Sequence, residues 1–170
     1  MNEMPNLITA RLSLVPLTRS MMERRLVEES FDLWIADIGM VEFPESWPGD
    51  ALVMFPTLLG LAQDPVEYSY VAVDRRNRRV VGQLGSTHPL DADGRIEIGY
   101  GFGVMGKGFA TEAVTALVAD LLGRPGVNAV MAHTAVDNQA SRRVLEKNGF
   151  ATVGSSWDDE DGDLIVWERR

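Results

Sequence analysis

The sequence predicts a single mixed α/β domain spanning residues 1–170. Three observations predict it. Apolar residues alternate with a period of two in some segments and repeat at helical spacing in others, and the two patterns succeed one another along the chain. No Pro/Ser-rich linker, internal repeat or low-complexity segment interrupts them. At 170 residues and 45% hydrophobic composition, the chain is long enough to bury one proper core.

Ile8, Ala10, Leu12 and Leu14 alternate with Thr9, Arg11 and Ser13, which predicts a half-buried strand closed by Pro16. Thr18 is placed to cap a helix carrying Met21, Met22 and Leu26. The segment Phe31-Asp32-Leu33-Trp34-Ile35 is expected to open or continue a second short helix. From Gly39 to Gly49 irregular chain is expected, with Phe43-Pro44-Glu45-Ser46-Trp47-Pro48 a loop by its prolines. Asp50 is expected to cap a helix through Leu52, Phe55, Leu59 and Ala62, bent at Pro56. Trp34 and Trp47 on these segments either shape an acceptor pocket or pack on the core. Residues 68–74 and 79–86 flank the polar turn Arg75-Arg76-Asn77-Arg78 and read as an antiparallel hairpin, its arginines a solvated tip rather than a binding patch. Asp91, Asp93 and His88 lack the spacing of an ordinary metal site. An Asp-Gly hairpin turn explains them, and no metal is expected.

The next strand, residues 95–102, is the informative one. Ile96, Ile98, Tyr100 and Phe102 fall on one face, and Glu97, Gly99, Gly101 and Gly103 on the other. A lone carboxylate followed by bare backbone marks a surface that something else approaches. Then Gly106-Lys107-Gly108-Phe109-Ala110-Thr111-Glu112-Ala113 leads into a helix on which Val114, Leu117, Val118, Leu121 and Leu122 repeat, and which Gly123 and Pro125 end. Glycines at a strand-to-helix turn let backbone N–H groups approach a ligand without a Cβ in the way. The first helical turn adds unpaired N–H groups and about half a positive charge. Together these bind phosphate, and Lys107 adds a cation. The turn reads as a pyrophosphate cradle; the alternative is a tight loop that needs glycine only for positive φ. Residues 130–136 form a further strand, in which His133 is expected to be packed and hydrogen-bonded rather than catalytic. Asp137 or Asn138 caps a helix over 139–148 that Gly149 terminates. Residues 150–154 and 164–167 close the domain as a hairpin around an acidic turn without calcium-loop spacing.

A net charge of −9 opposes nucleic-acid binding and fits a cationic or amine partner. With no cysteine the chain forms no disulfide, thiolate metal site or acyl-cysteine intermediate. Met1-Asn2-Glu3-Met4-Pro5 lacks the basic and apolar parts of a signal peptide, and no apolar run approaches membrane-span length, so a cytoplasmic protein without membrane association is expected.

Three stretches resemble the GNAT acetyltransferases, and within them the branch of ribosomal-protein N-terminal (RimJ/RimL-type) acetyltransferases. Ile8-Thr9-Ala10-Arg11-Leu12-Ser13-Leu14 is similar to that branch's opening strand. Glu97-Ile98-Gly99-Tyr100 followed by the glycine turn is similar to its acetyl-CoA motif. Asn138-Gln139-Ala140-Ser141-Arg142-Arg143-Val144-Leu145-Glu146-Lys147-Asn148-Gly149-Phe150 is similar to its second signature, at the expected separation. The resemblance spans most of the chain from Ile8 to Phe150. It implies a mostly antiparallel central sheet flanked by helices, with two central strands splayed to form the acetyl-CoA cleft. It also implies direct acetyl transfer to a primary amine without a covalent enzyme intermediate.

That chemistry needs a neutral amine. An α-amine, with a pKa near 8, is partly neutral in the cytosol, whereas a lysine amine near 10.4 is almost wholly protonated. A carboxylate accepts the proton directly or through water. Glu97 is the candidate base, by its face and by its match to the family's Glu-Ile-x-Tyr/Phe strand. Backbone N–H near Phe102 or Gly103 is expected to polarise the thioester carbonyl. The resemblance lays the cofactor along Phe102, Gly103, Val104, Met105, Gly106, Lys107, Gly108, Phe109, Ala110 and Thr111. Ser141 matches a serine of the branch and is expected to protonate or hydrogen-bond the leaving sulfur. Asn138 would position the cofactor or the acceptor, and Arg142 would meet a CoA phosphate. Helix capping is the alternative for Ser141 and Asn138. Trp34, Trp47 and Glu97 are the candidate acceptor contacts.

The expected function is therefore N-acetylation of a protein or peptide N-terminus or of a small-molecule amine, by a monomer or homodimer. Met105 stands where many members carry arginine or glutamine, and the 101–106 link is a couple of residues short. These departures support an alternative, a non-catalytic acyl-CoA-binding or protein-interaction module with a degenerate site. A dinucleotide-binding domain is a third reading of Gly103-x-x-Gly106-x-Gly108, but it needs an acidic residue ending the strand after the helix, where Asp137 fits poorly.

Overall fold

The opening run folds back on itself. β1 (Leu7–Ile8) and β2 (Leu12–Pro16) pair antiparallel, Leu7 opposite Leu14 and Ile8 opposite Ser13, so the single strand expected from alternation bends at Ala10 and Arg11. Arg75 holds the bend: its guanidinium donates to the carbonyls of Leu12, Thr9 (2.8 Å) and Ala10 (2.9 Å). Arg75 is thus a structural clamp rather than part of a solvated tip. The structure, a computed structural model, describes residues 4–170.

Two units are distinguishable. The first comprises residues up to Gly85 together with Tyr100–Ala113. Here α1 (Arg19–Val27) is capped as expected, the Thr18 side chain accepting from Met21 N, and it buries Met21 and Met22. β3 (Phe31–Ile35) and β4 (Gly39–Phe43) pair antiparallel, Phe31 opposite Phe43. This corrects both the helix expected at Phe31 and the irregular chain expected from Gly39. Over five residues the spacing of Phe31 and Ile35 fits a helix as well as a strand, and only a pairing partner decides. A 3-10 helix (Gly49–Met54) follows Pro48 and passes into α2 (Phe55–Leu59). Asp50 therefore caps nothing, Ala62 lies beyond the helix, and Pro56 sits in the first turn, where its missing N–H is no loss. β5 (Ser69–Asp74) and β6 (Arg79–Ser86) form the expected hairpin, and the strands of this unit run β1-β2-β5-β6, all antiparallel. β4 meets β6 in parallel where Glu42 faces Arg79. Phe31, Phe43, Trp47 and Phe55 make an aromatic core, with ring centroids 4.7–6.2 Å apart.

The second unit comprises Ser86–Gly99 and Val114–Arg170. β7 (Arg95–Phe102) and α3 (Phe109–Leu122) each run through the boundary between the units. β8 (Ala129–Ala135), α4 (Gln139–Lys147), β9 (Ala151–Asp158) and β10 (Gly162–Arg169) complete the chain. β7 pairs parallel with β8, as a connection through a helix allows. Their ladder runs from Arg95 opposite Ala129 to Ile98 opposite Ala132, while β8 continues to Ala135 against β10. Ile96, Ile98, Leu117, Leu121 and Val130 are all buried. The closing hairpin is longer than expected. Only residues 159–161 separate its strands, and Asp158 Oδ1 accepts from Glu160 N (3.0 Å) and Asp161 N (2.6 Å). The result is a mixed α/β protein with a mostly antiparallel sheet flanked by helices, as predicted. Among the described residues no helix is long and apolar enough to cross a membrane.

Candidate active site

In the first unit, the turn between β7 and α3 has the conformation its glycines imply. Gly106 and Gly108 both have φ +77°, in the region that a Cβ disfavours. A Cβ at Gly106 would meet nothing within 4 Å, so the turn faces open space. Met105, Gly106, Lys107 and Gly108 are exposed, Val104, Ala110 and Thr111 are half-buried, and Phe109 is buried.

Arg11, which sequence reasoning left as a strand residue, stands at this turn. Its guanidinium carbon lies 4.4 Å from the centre of the Phe109 ring, and Nη2 lies 3.5 Å from where a Gly108 Cβ would be. Arg11 Nε donates to Glu112 Oε1 at 2.9 Å, while Glu112 Oε2 accepts from Thr9 Oγ1 (2.5 Å) and Arg11 N (2.9 Å). The first turn of α3 is thereby fastened to the β1–β2 bend, and the turn has a second cation besides Lys107. Burial pushes the Glu112 carboxyl up, but the bonds from Thr9 and Arg11 outweigh it and hold it below its ordinary 4.5. A depressed folded value means the stabilisation is complete above that ordinary value and is lost as pH falls through the folded one. Glu112→Gln is expected to lower stability by roughly 1–3 kcal/mol at neutral pH. In urea titrations the gap to wild type should close on acidification, and a gap constant down to pH ~3 would contradict the linkage.

Gly103 does not play its expected part. Its N–H donates to Val81 O at 3.0 Å, so it is already paired and is not a free donor for a thioester carbonyl. Phe102 is fixed by packing, its ring 2.4 Å from where a Gly82 Cβ would lie. The side chain nearest Gly103 is Ser46, Oγ 3.4 Å from the position of a Cβ there. Trp47, next in that loop, is only 3% exposed among the aromatic rings. Of the two readings of Trp47, packing on the core is the one its burial supports. Trp34 is 69% exposed on β3.

In the second unit, the parallel register puts Glu97 opposite Met131, with His133 next along the same face of β8. His133 Nδ1 contacts Glu97 Oε1, and His88 Nδ1 lies 2.7 Å from Oε2. Thr87 Oγ1 donates to Oε2 at 2.7 Å, and Thr87 N to the Glu97 carbonyl at 2.9 Å. Gly99 makes room for this: a Cβ there would come within 2.9 Å of Thr87 Cγ2. Glu97 and both imidazoles line an open depression of about 280 Å³ with Pro89, Asp91, Arg95 and Met131. Burial raises the Glu97 carboxyl, but the Thr87 bond, the His133 charge and the bonds from His88 and His133 together hold it below its ordinary 4.5. His133 is therefore not a packed strand histidine. The chain has only two histidines, and that both meet one carboxylate is invisible without the strand register.

On α4, Asn138 Oδ1 accepts from Ser141 N at 3.1 Å, so Asn138 is the cap. Arg142 Nη1 donates to Val136 O at 2.9 Å, and its Nε is buried without a hydrogen-bond partner among the described residues. Residues 102–111 belong to the first unit, and Glu97, Asn138, Ser141 and Arg142 to the second.

Residues 12–151 match the acetyltransferase (GNAT) domain family. The uncharacterized N-acetyltransferase YjdG of Bacillus subtilis (strain 168) is 34% identical over 84 residues, 48% of this chain and 50% of that protein. The chain thus aligns with about half the length of that curated relative. The acetyl transferase of Salmonella typhimurium that modifies the N-terminal serine of a 50S ribosomal subunit protein shares the fold, with a TM-score of 0.67 at 18% identity over 97% of this chain and 98% of that one. So does RimL, a ribosomal-protein α-N-acetyltransferase solved with coenzyme A, with a TM-score of 0.69 at 17% identity over 97% of each chain. With most of its length matched by the family, this chain belongs to the GNAT acetyltransferases.

Proposed function

We propose that the protein is an acetyl-CoA-dependent N-acetyltransferase that acts directly on a primary amine. The observation that carries this is an ionised Glu97 carboxylate, bracketed by two imidazoles, facing an open depression. An ammonium entering there meets a proton-accepting cluster and leaves the amine nitrogen with its lone pair. The nitrogen bonds the thioester carbon as the carbon–sulfur bond breaks, the sulfur keeps that bond's electrons, and the proton it takes up balances the second one the nitrogen loses in becoming an amide. Bound acetyl-CoA supplies the activated acetyl group.

The chain's own residues fit that co-substrate. The turn leaves open space at Gly106, ahead of the first N–H groups of α3, with the Arg11 and Lys107 cations beside it. Arg142, its Nη1 anchored on Val136 O, is the cation for a phosphate, and Ser141 is the donor to the leaving sulfur. The net charge of −9 favours a cationic acceptor, and two structural neighbours act on ribosomal-protein N-termini. A peptide α-amine is accordingly the acceptor of choice, in the cytoplasm.

Thermal unfolding with and without acetyl-CoA, with NAD as control, tests this. At about a hundred times the dissociation constant the cofactor adds roughly 2.7 kcal/mol, several degrees for a chain of this size. Gly108→Val is expected to abolish the shift, because a β-branched side chain strains a turn held at φ +77°. No shift for wild type, or an equal one with NAD, would remove the acetyl-CoA reading. The Gly103–Val81 hydrogen bond favours one competitor, a non-catalytic acyl-CoA-binding module. Amine-dependent release of CoA would eliminate it.

A further inference from the structure

We infer that the acceptor's proton passes to Nε2 of His133, with Glu97 as the carboxylate that positions this imidazole; the inference rests on the proposed N-acetyltransferase activity. His133 turns Nδ1 to Glu97 Oε1. An ionised carboxylate has no proton to give, so the shared proton belongs to Nδ1 and the neutral ring presents a bare Nε2. A carboxylate that fixes a tautomer and then stabilises the imidazolium is the logic of hydrolase triads. A carboxylate with an ordinary value near 4.5 is in any case a weak proton acceptor at neutral pH.

His88 makes a similar contact, but its side chain is 73% exposed, against 35% for His133, and it lies in the link after β6. His133 sits within β8, its backbone fixed opposite Val166 of β10. Catalytic geometry favours the group with the fixed backbone. The other charges are already engaged. Arg95 on β7 is paired with Asp91 (3.3 Å) and Asp93 (2.8 Å), and Glu168 on β10, opposite Met131, with Arg170 (2.5 Å). Thr87, Met131 and Val166 carry no charge. The carboxylate facing His133 is thus Glu97.

The nitrogen sheds two protons, and the second, lost once it has bonded the acyl carbon, balances the one the sulfur takes up. The ammonium N–H bond breaks and its electron pair stays on nitrogen. Neutral His133 takes the proton at Nε2 and becomes an imidazolium paired with the Glu97 carboxylate. Water then removes that proton and restores the ring.

With only two histidines, ring-nitrogen NMR of ¹⁵N-histidine-labelled protein resolves both rings, and His88→Gln assigns them. The expected spectrum shows His133 protonated at Nδ1 and bare at Nε2 in its neutral form. A neutral His133 protonated at Nε2 overturns the inference. Kinetically, with a free-N-terminus serine peptide as probe, His133→Gln should lower kcat about 10²–10⁴-fold and leave the acetyl-CoA KM within about threefold. Retained acetyl-CoA-induced stabilisation shows that the variant is folded, and kcat within about threefold of wild type overturns the inference. If wild type acetylates no peptide, the activity reading fails on its own, and the wild-type spectrum still decides the state of Nε2.

Discussion

Glu97→Gln is expected to reduce kcat for acetylation of a peptide α-amine by about 10²–10⁴-fold, a loss of roughly 3–5 kcal/mol of transition-state stabilisation. The substitution keeps the side chain's size and one carbonyl acceptor for Thr87, but removes the negative charge that both imidazoles face. Without that charge the proton taken from the amine has no counter-ion, so the loss should fall on kcat while the acetyl-CoA KM changes little. Glu97→Asp, with the charge kept but set back by one methylene, should recover part of the rate. Because the chain has no cysteine, thiol-reactive dyes report released CoA without background from the protein. Glu97→Gln turning over at the wild-type rate would show that the cluster is not catalytic. The variant should also be less acid-sensitive. The folded Glu97 value is depressed, so its share of stability is present above its ordinary value and lost as pH falls through the folded one.

Trp47→Ala should be the most damaging substitution in the first unit, costing about 3–5 kcal/mol and lowering Tm by roughly 10 °C. Trp47 is 3% exposed, with the Phe43 ring 5.0 Å away edge-on and the Phe55 ring at 5.4 Å. Its loop is tied down as well, since Arg25 Nε donates to the Trp47 carbonyl at 2.9 Å. Truncation would leave a void that these rings refill only in part. Trp47→Phe is the informative control. The indole Nε1 is buried without a hydrogen-bond partner among the described residues, so removing it relieves an unpaired donor. The phenylalanine variant should therefore retain most of the stability. Calorimetry that finds Phe as damaging as Ala would mean that the indole N–H, not the ring volume, holds the site.

Features written in neighbouring residues were legible in the sequence. The Thr18 and Asn138 caps, the glycine turn and the outward face of Glu97 each depend on a few adjacent positions. What was missed depends on partners far along the chain. Phe31-Asp32-Leu33-Trp34-Ile35 becomes a strand only because Gly39–Phe43 pairs with it. His133 meets Glu97 because the parallel ladder sets Glu97 opposite Met131, which no periodicity within either strand encodes. Ser46 at Gly103 and Arg11 at Gly108 were hidden for the same reason. Gly103 was expected as a free donor because its bond to Val81 O comes from another strand.

The Glu112 anchor has a consequence for synthesis. Its partners Thr9 and Arg11 precede it by 103 and 101 residues. At about 5–20 residues per second, the ribosome releases the bend roughly 5–20 s before the helix turn that completes it. Until then the residue that pairs with Arg11 does not exist, and a nascent chain stalled before it lacks the tie between the β1–β2 bend and α3. Translation speed over the hundred or so codons between Arg11 and Glu112 thus sets how long β1 and β2 wait for their carboxylate.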